Sequence, residues 1–220
     1  MMNKMVDRIC FDPPFFIQQS RKVINFYDDT HSLFKRRKAL GFLVALMRFI
    51  DGLNQTIGKT VAWLAVIMVI TQFSVVVLRY VFGFGSIMMQ ESVVYMHSFL
   101  FMIGAGYTLL HNGHVRVDVF YREASINKKA VIDIFGVVFL LLPVCALIAD
   151  SSWKYVYQSW SIMEGSVETS GIQALFILKT VILVFCFLLA LQGIGLALRS
   201  FLILKGVVVP EEDHELHEVP

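Results

Sequence analysis

Asp, Glu, Lys and Arg are absent from four stretches of the chain, 60–78, 92–115, 134–149 and 180–198, and the polar residues left inside them are sparse. A membrane-crossing helix needs about 20 predominantly apolar residues, each rising ~1.5 Å. With their flanks all four stretches qualify, which predicts spans at 60–81, 91–110, 130–150 and 174–198. A membrane barrel would instead alternate apolar and polar residues along segments of about ten residues, and these runs do not alternate. Because lipid offers no partner to a backbone N–H or C=O, a bundle of helices is the arrangement that remains.

Ahead of the first span, "LMRFIDGLNQTIGKT" places Leu46, Ile50, Leu53 and Ile57 at helical spacing, with Arg48, Asp51, Asn54, Gln55 and Lys59 on other faces. This pattern predicts an amphipathic helix over 41–59 lying flat in the headgroup layer. The run "ALGFLVALM" between Lys38 and Arg48 has nine residues, too few to span. Residues 1–40 form an N-terminal extension without the pattern of a cleaved signal, since "DPP" and "YDD" interrupt it and no apolar core follows an early basic patch. The tail, 205–220, contains "PEEDHELHEVP" and is expected to be an acidic disordered end.

Composition agrees with a chain solvated mainly by lipid. Of 220 residues, 57% are hydrophobic and 16% charged, with mean hydropathy +0.68, against about 25% charged in ordinary soluble domains. Lysine and arginine concentrate in cytoplasmic loops of membrane proteins. Here they gather at Lys35 to Lys38, Arg48 and Lys59, then at Arg116, Arg122, Lys128 and Lys129, and finally at Arg199 and Lys205, whereas the other two connections hold Arg79 and Lys154. Both termini are therefore expected in the cytoplasm. The "KRRK" at 35–38 has two readings, a site for anionic lipid and an ordinary topological signal. Cys10, Cys145 and Cys186 have no C-x-x-C spacing, which argues against a disulfide framework or a zinc site built on cysteine.

Several residues have the character of chemistry. His111 and His114, with Asp118 four residues further on, have the types of a metal site, but the H-E-x-x-H signature is missing. A haem held between two histidines on different helices lacks its second ligand, since His97 is the one histidine well inside a span. His97 is expected to pack within the bundle or to hydrogen-bond across helices; Glu91 and Asp133 are too near span ends to make a continuous proton relay with it. Arg79 and Glu91 bracket the short connection "YVFGFGSIMMQ", as a pair that fixes the loop, as receivers of a partner's charges, or as charges turned separately to headgroups. Gly104 with Thr108 and Gly193 with Ala197 are small-x-x-x-small pairs for close helix approach. Gly113 is expected to end the second span in a left-handed conformation. After it Val115, Val117 and Val119 alternate with His114, Arg116 and Asp118 as in an extended segment. Nucleotide loops, nucleophile elbows and paired carboxylates within a span are missing, and Pro143 stands alone in the third span, so neither an enzyme nor a self-sufficient solute pathway is legible.

"FIDGLNQTIGKT", "VVVLRYVFG", "QESVVYMHSF" and "GYTLLHNGHVRVDVFY" follow one another in an order that resembles the small permease subunit, DctQ type, of the tripartite ATP-independent periplasmic (TRAP) transporters. The resemblance runs from Phe49 to Ser200, and its most specific part is Gly113, His114, Val115, Arg116, Val117 and Asp118. Where family members often place a tryptophan before the acidic residue matching Glu91, this chain has Met88 and Met89. The resemblance implies a complex of the bacterial inner membrane with a large permease subunit, which carries the solute and the sodium ions, and a periplasmic substrate-binding protein. It implies no cofactor and no catalysis in this subunit, whose role would be to scaffold the large one. Besides those two proteins, membrane lipid is the expected partner, and nucleic acid is not. "EGSVETSGIQALFILKTVILVF" and "LQGIG" look like the branch associated with 2-oxo acids and related organic acids. Under this reading Arg79, Glu91, Gly113, His114, Arg116 and Asp118 are candidates for an inter-subunit or interhelical clamp. The alternative is the membrane anchor of a respiratory redox complex.

Overall fold

The computed structural model describes residues 15–114 and 124–206, with side chains from Leu40 onward within those ranges. The expected clamp residues Arg116 and Asp118, the "KRRK" side chains and the acidic tail lie outside the described residues. Two compact units divide the chain, Met1–Leu43 and Val44–Pro220. The first is helical from Phe15 on; the second contains the helix bundle.

The elements are α1 (Phe15–Tyr80), α2 (Ile87–Leu110), α3 (Ile126–Phe135), a π-helical segment (Gly136–Leu141), α4 (Leu142–Ser161) and α5 (Leu175–Leu204). Among the described residues four stretches are long and apolar enough to cross a membrane: Leu40–Tyr80, Ile87–Leu110, Ile126–Ser161 and Leu175–Leu204. All four contain the expected spans or most of them and extend beyond, because a lysine, arginine or aspartate in a terminal turn does not interrupt a helix. No strand occurs among the described residues.

Within the second unit α1 shows no break between the expected flat helix and the first span. Proline, which would remove a backbone donor and clash with the preceding turn, is absent from its sequence. The third span does carry a proline, and its effect is local. At Pro143 an α-helical turn would set the ring against the Phe139 carbonyl. The helix widens just before this point, and the Leu142 N–H reaches back five residues to the Val137 carbonyl.

α5 lies at the centre, packed against α2, α3 and α4. Its buried positions include Cys186, Gly193, Gly195 and Ser200, small residues that let backbones approach where lipid gives helices no hydrophobic reason to associate. A Cβ on Gly193 would lie 2.7 Å from Cδ2 of Leu141 and 3.5 Å from Val137, so the widened turn of the third span rests on this glycine. Against α2 the close approach is at Gly106, where an added Cβ would meet the Asn54 carboxamide and the Leu188 carbonyl. The expected contact at Gly104 is not there; an added Cβ would meet nothing within 4 Å.

The ends of α2 and α4 are closed by left-handed residues that are not glycine. After α2, Asn112 has φ 54°, its N–H bonds to the Leu109 carbonyl at 3.2 Å, and the Gly113 N–H bonds to the Thr108 carbonyl at 2.8 Å. This is the paired-bond cap that follows a left-handed residue. The expectation that Gly113 takes the left-handed position is therefore corrected by one residue: asparagine tolerates that conformation through its short polar side chain. Met163 does the same after α4, with φ 46° and bonds from its own N–H to Trp160 and from the Glu164 N–H to Ser159. Methionine has no such excuse, and the left-handed conformation costs an ordinary residue roughly 1–2 kcal/mol. Met163→Gly should therefore raise unfolding stability by about 0.5–1 kcal/mol, after the larger unfolded-chain entropy of glycine is subtracted. Thermal unfolding of both proteins in one detergent measures this, and an unchanged or lower midpoint would show that the turn stores no strain.

Candidate functional site

Two polar clusters tie the bundle together, one at each end. On α1 the buried stripe runs Met47, Ile50, Asn54, Gly58, the spacing of one helix face, and Asp51 stands beside it. The Asp51 carboxylate accepts a hydrogen bond from Nε2 of Gln192 at 2.9 Å on one oxygen and pairs with the Arg199 guanidinium at 2.8 Å on the other. Gln192 and Arg199 are seven residues apart on α5, two turns along one face. Gly195, between them, leaves the space into which Ile50 and Asp51 fit. The pair is not deeply sunk, with side-chain exposures of 31% and 19%, so its strength is that of a partly solvated charge interaction.

Asn54 continues the cluster toward the bundle centre. Its Nδ2 donates to the Ile50 carbonyl at 3.3 Å, and its carboxamide fills the space left by the missing side chain of Gly106. At the next residue, Gln55 Oε1 accepts from His111 Nε2 at 2.7 Å. The His111 ring also leans on Tyr107, with centroids 4.3 Å apart. His111, expected as a possible metal ligand, is thus a link between α1 and the end of α2. His114 is exposed.

At the other end Glu91 holds a loop. One carboxylate oxygen accepts from the Ser166 hydroxyl, and the second accepts from the backbone N–H of Ile172 at 2.6 Å. Gly171 is confined between Ser166 and the Glu91 carboxylate, where a Cβ would collide with both. The connection between α4 and α5 is thereby fastened across the start of α2. Of the readings of Arg79 and Glu91, a pair between them is not found: among the described residues no ion pair joins them, and the loop N–H and hydroxyl occupy the Glu91 carboxylate.

Beside this clasp Glu164 pairs with Lys179 of α5. The Lys179 ammonium also sits 4.0 Å above the centre of the Tyr155 ring. Trp160 donates from its indole N–H to Thr180 Oγ1 at 2.8 Å and meets Phe176 edge to face at 4.7 Å. The Lys179 hydrogen bond holds the Glu164 carboxyl below the ordinary carboxylate range.

Sequence reasoning marked Glu91 but missed Ser166, Ile172, Gln192 and Lys179. A signal for one was present: Gln192 is the single carboxamide in the charge-free stretch 180–198, two turns before Arg199. Partners drawn from a loop backbone, as Ile172 is, leave no trace in side-chain pattern.

Removing Arg199 leaves Asp51 with the Gln192 bond alone, and removing Asp51 takes away the ion-pair partner of Arg199. A double-mutant cycle of Asp51→Ala and Arg199→Ala should give a coupling energy of about 1–2 kcal/mol, between a surface ion pair and a charged hydrogen bond; strictly additive effects would show that the two ends do not hold each other. The Glu164 contact has a predicted pH signature. A carboxyl whose folded pKa is lowered contributes stability above its unfolded value, and that contribution is lost as pH falls through the lowered folded value. The wild type should therefore keep this contribution at full strength down to about pH 5 and lose it at more acid pH than an ordinary carboxylate would. Lys179→Met should remove it, so the difference in unfolding midpoint between the two proteins shrinks toward zero in acid. A difference independent of pH from 7 to 3 would assign the loss to packing against Tyr155 instead.

A family model described as tripartite ATP-independent periplasmic transporters, DctQ component, matches residues 67–202. The match takes in the end of α1 from residue 67, all of α2 to α4 and α5 as far as Leu202, and so both Glu91 with its loop partners and the α5 side of the Asp51 clasp. No curated protein and no solved structure matches the chain. With helices able to cross a membrane four times and the family match over most of its length, the chain belongs to the DctQ family, the small permease component of TRAP transporters.

Proposed function

We propose that this subunit is the stationary scaffold of a sodium-coupled, binding-protein-dependent transporter for organic acids in the bacterial inner membrane. The observation that carries the reading is the double fastening of the bundle. Asp51 ties α1 to α5 at one end, and Glu91 ties α2 to the loop before α5 at the other. Helices joined only by packing between small residues can slide or tilt; cross-helix hydrogen bonds at both ends oppose that. A large subunit that carries solute across the bilayer needs a neighbour that does not move with it.

In this arrangement the sodium ions and the solute bind the large subunit, and the periplasmic binding protein delivers the solute. The solute class, 2-oxo acids and their relatives, rests on the likeness of "EGSVETSGIQALFILKTVILVF" and "LQGIG". Both termini face the cytoplasm, by the distribution of lysine and arginine. The residue 44–59 part of α1 then braces the cytoplasmic side, its Asp51 and Asn54 turned to α2 and α5 and its Phe49 turned outward. Arg116 and Asp118 complete the cytoplasmic grip on the large subunit.

Deleting the gene should abolish solute uptake while the other two components are still made at normal levels. Undiminished uptake by the large subunit and binding protein alone would sink the scaffold reading.

A further inference from the structure

One outward face of α1 begins polar and continues apolar. Lys59, Trp63, Val66, Ile70 and Phe73 follow one another at intervals of four, three, four and three residues, which keeps them in line along the helix. Lys59 is exposed, and so are Trp63, Val66, Ile70 and Phe73, at 70%, 50%, 60% and 68%. The polar start of this line falls near one end of the bundle. Gln55, one turn before Lys59, bonds to His111 at the cap of α2, and Asp51, two turns before, pairs with Arg199 near the end of α5. Lys59 is therefore about 6 Å inside that end at ~1.5 Å per residue, a depth from which an ammonium on its four-carbon stem reaches the headgroups.

Nothing on this face answers the charge. Asp51 is turned to Gln192 and Arg199, and α1 has no acidic residue after it. Neither ion pair among the described residues includes Lys59 or Arg48, which is also exposed. Thr56 and Thr60, beside Lys59, return their hydroxyls to the carbonyls of Gly52 and Thr56 at 2.8 and 2.9 Å. The ammonium of Lys59 and the indole N–H of Trp63 are left as donors, on side chains whose Cβ atoms are about 5–6 Å apart at this spacing. Beyond them the apolar line runs to Phe73, about 21 Å from Lys59 along the axis, against ~15 Å for half of a hydrocarbon core.

We infer that this face of α1 binds an anionic phospholipid, with its phosphate between the Lys59 ammonium and the Trp63 indole N–H and an acyl chain along Val66, Ile70 and Phe73. Charge selects the kind of lipid. A zwitterionic headgroup brings a cation that Lys59 and Arg48 repel and that no carboxylate on this face receives, whereas an anionic headgroup brings none.

The test uses the full chain assembled with its transporter in nanodiscs, in which either phosphatidylglycerol or phosphatidylethanolamine carries a photoreactive diazirine in its acyl chain; adducts are mapped to residues by mass spectrometry. Phosphatidylglycerol should label the stretch from Val66 to Phe73 more strongly than phosphatidylethanolamine does. Lys59→Gln should lower that labelling about fivefold, the effect of one cation at an anionic surface, and Lys59→Arg should retain it. Trp63→Phe, which keeps a ring and removes the N–H, should lower it as well. Equal labelling by the two lipids, unchanged in Lys59→Gln, would make this an ordinary acyl-chain surface and overturn the inference. Absence of lipid adducts from these residues would overturn it too, since the face would then be covered by protein.

Discussion

A polar group inside a bilayer has no water to turn to, and much of this molecule can be understood as the ways its polar groups meet that constraint. Backbone groups meet it by forming helices, and at Pro143 by a single widened turn in which the Leu142 N–H reaches Val137. Hydroxyls meet it within their own helix. Asn54 returns its carboxamide N–H to its own helix at Ile50, whereas Asp51, Gln192 and Arg199 meet across helices although 141 and 148 residues separate the bonded pairs. The two ends of the bundle are determined by these longer-range solutions.

Between the ends, packing depends on what is missing. Gly193 accepts Leu141 and Val137, Gly195 accepts Ile50, and Gly106 accepts Asn54. Two glycines stand beside a polar fastening: Gly195 lies between Gln192 and Arg199, and the loop residue Gly171 sits against the carboxylate of Glu91. Close packing and polar fastening are in this sense one device. Gln72 and His97 stand apart from this pattern as polar residues of the spans that are exposed on the bundle surface.

Membership of a tripartite transporter family gives the outward apolar surface a use. Phe73, Phe101, Phe139 and Leu147 are exposed on that surface, and apolarity alone does not distinguish a face for lipid from a face for protein. The fastening of the loop before α5 to Glu91 and of α1 to Asp51 keeps such a surface in one shape, which is what a docking partner requires.

The helices and their membrane character were legible in the sequence, because a run of about 20 uncharged apolar residues has few stable alternatives in lipid. So was the family, whose signature in "GHVRVD" and its surroundings is a matter of residue order. Glu91 was legible as a residue of interest, but its partners were not: the Ile172 N–H belongs to a backbone, and Arg79 was nearer in sequence. Periodicity suggested a stripe of Leu46, Ile50, Leu53 and Ile57 on α1, whereas the buried stripe is Met47, Ile50, Asn54 and Gly58. It contains an asparagine because Gly106 leaves room for one. Which face of a helix is inward depends on where its neighbours offer space and hydrogen bonds, and only the tertiary structure decides that.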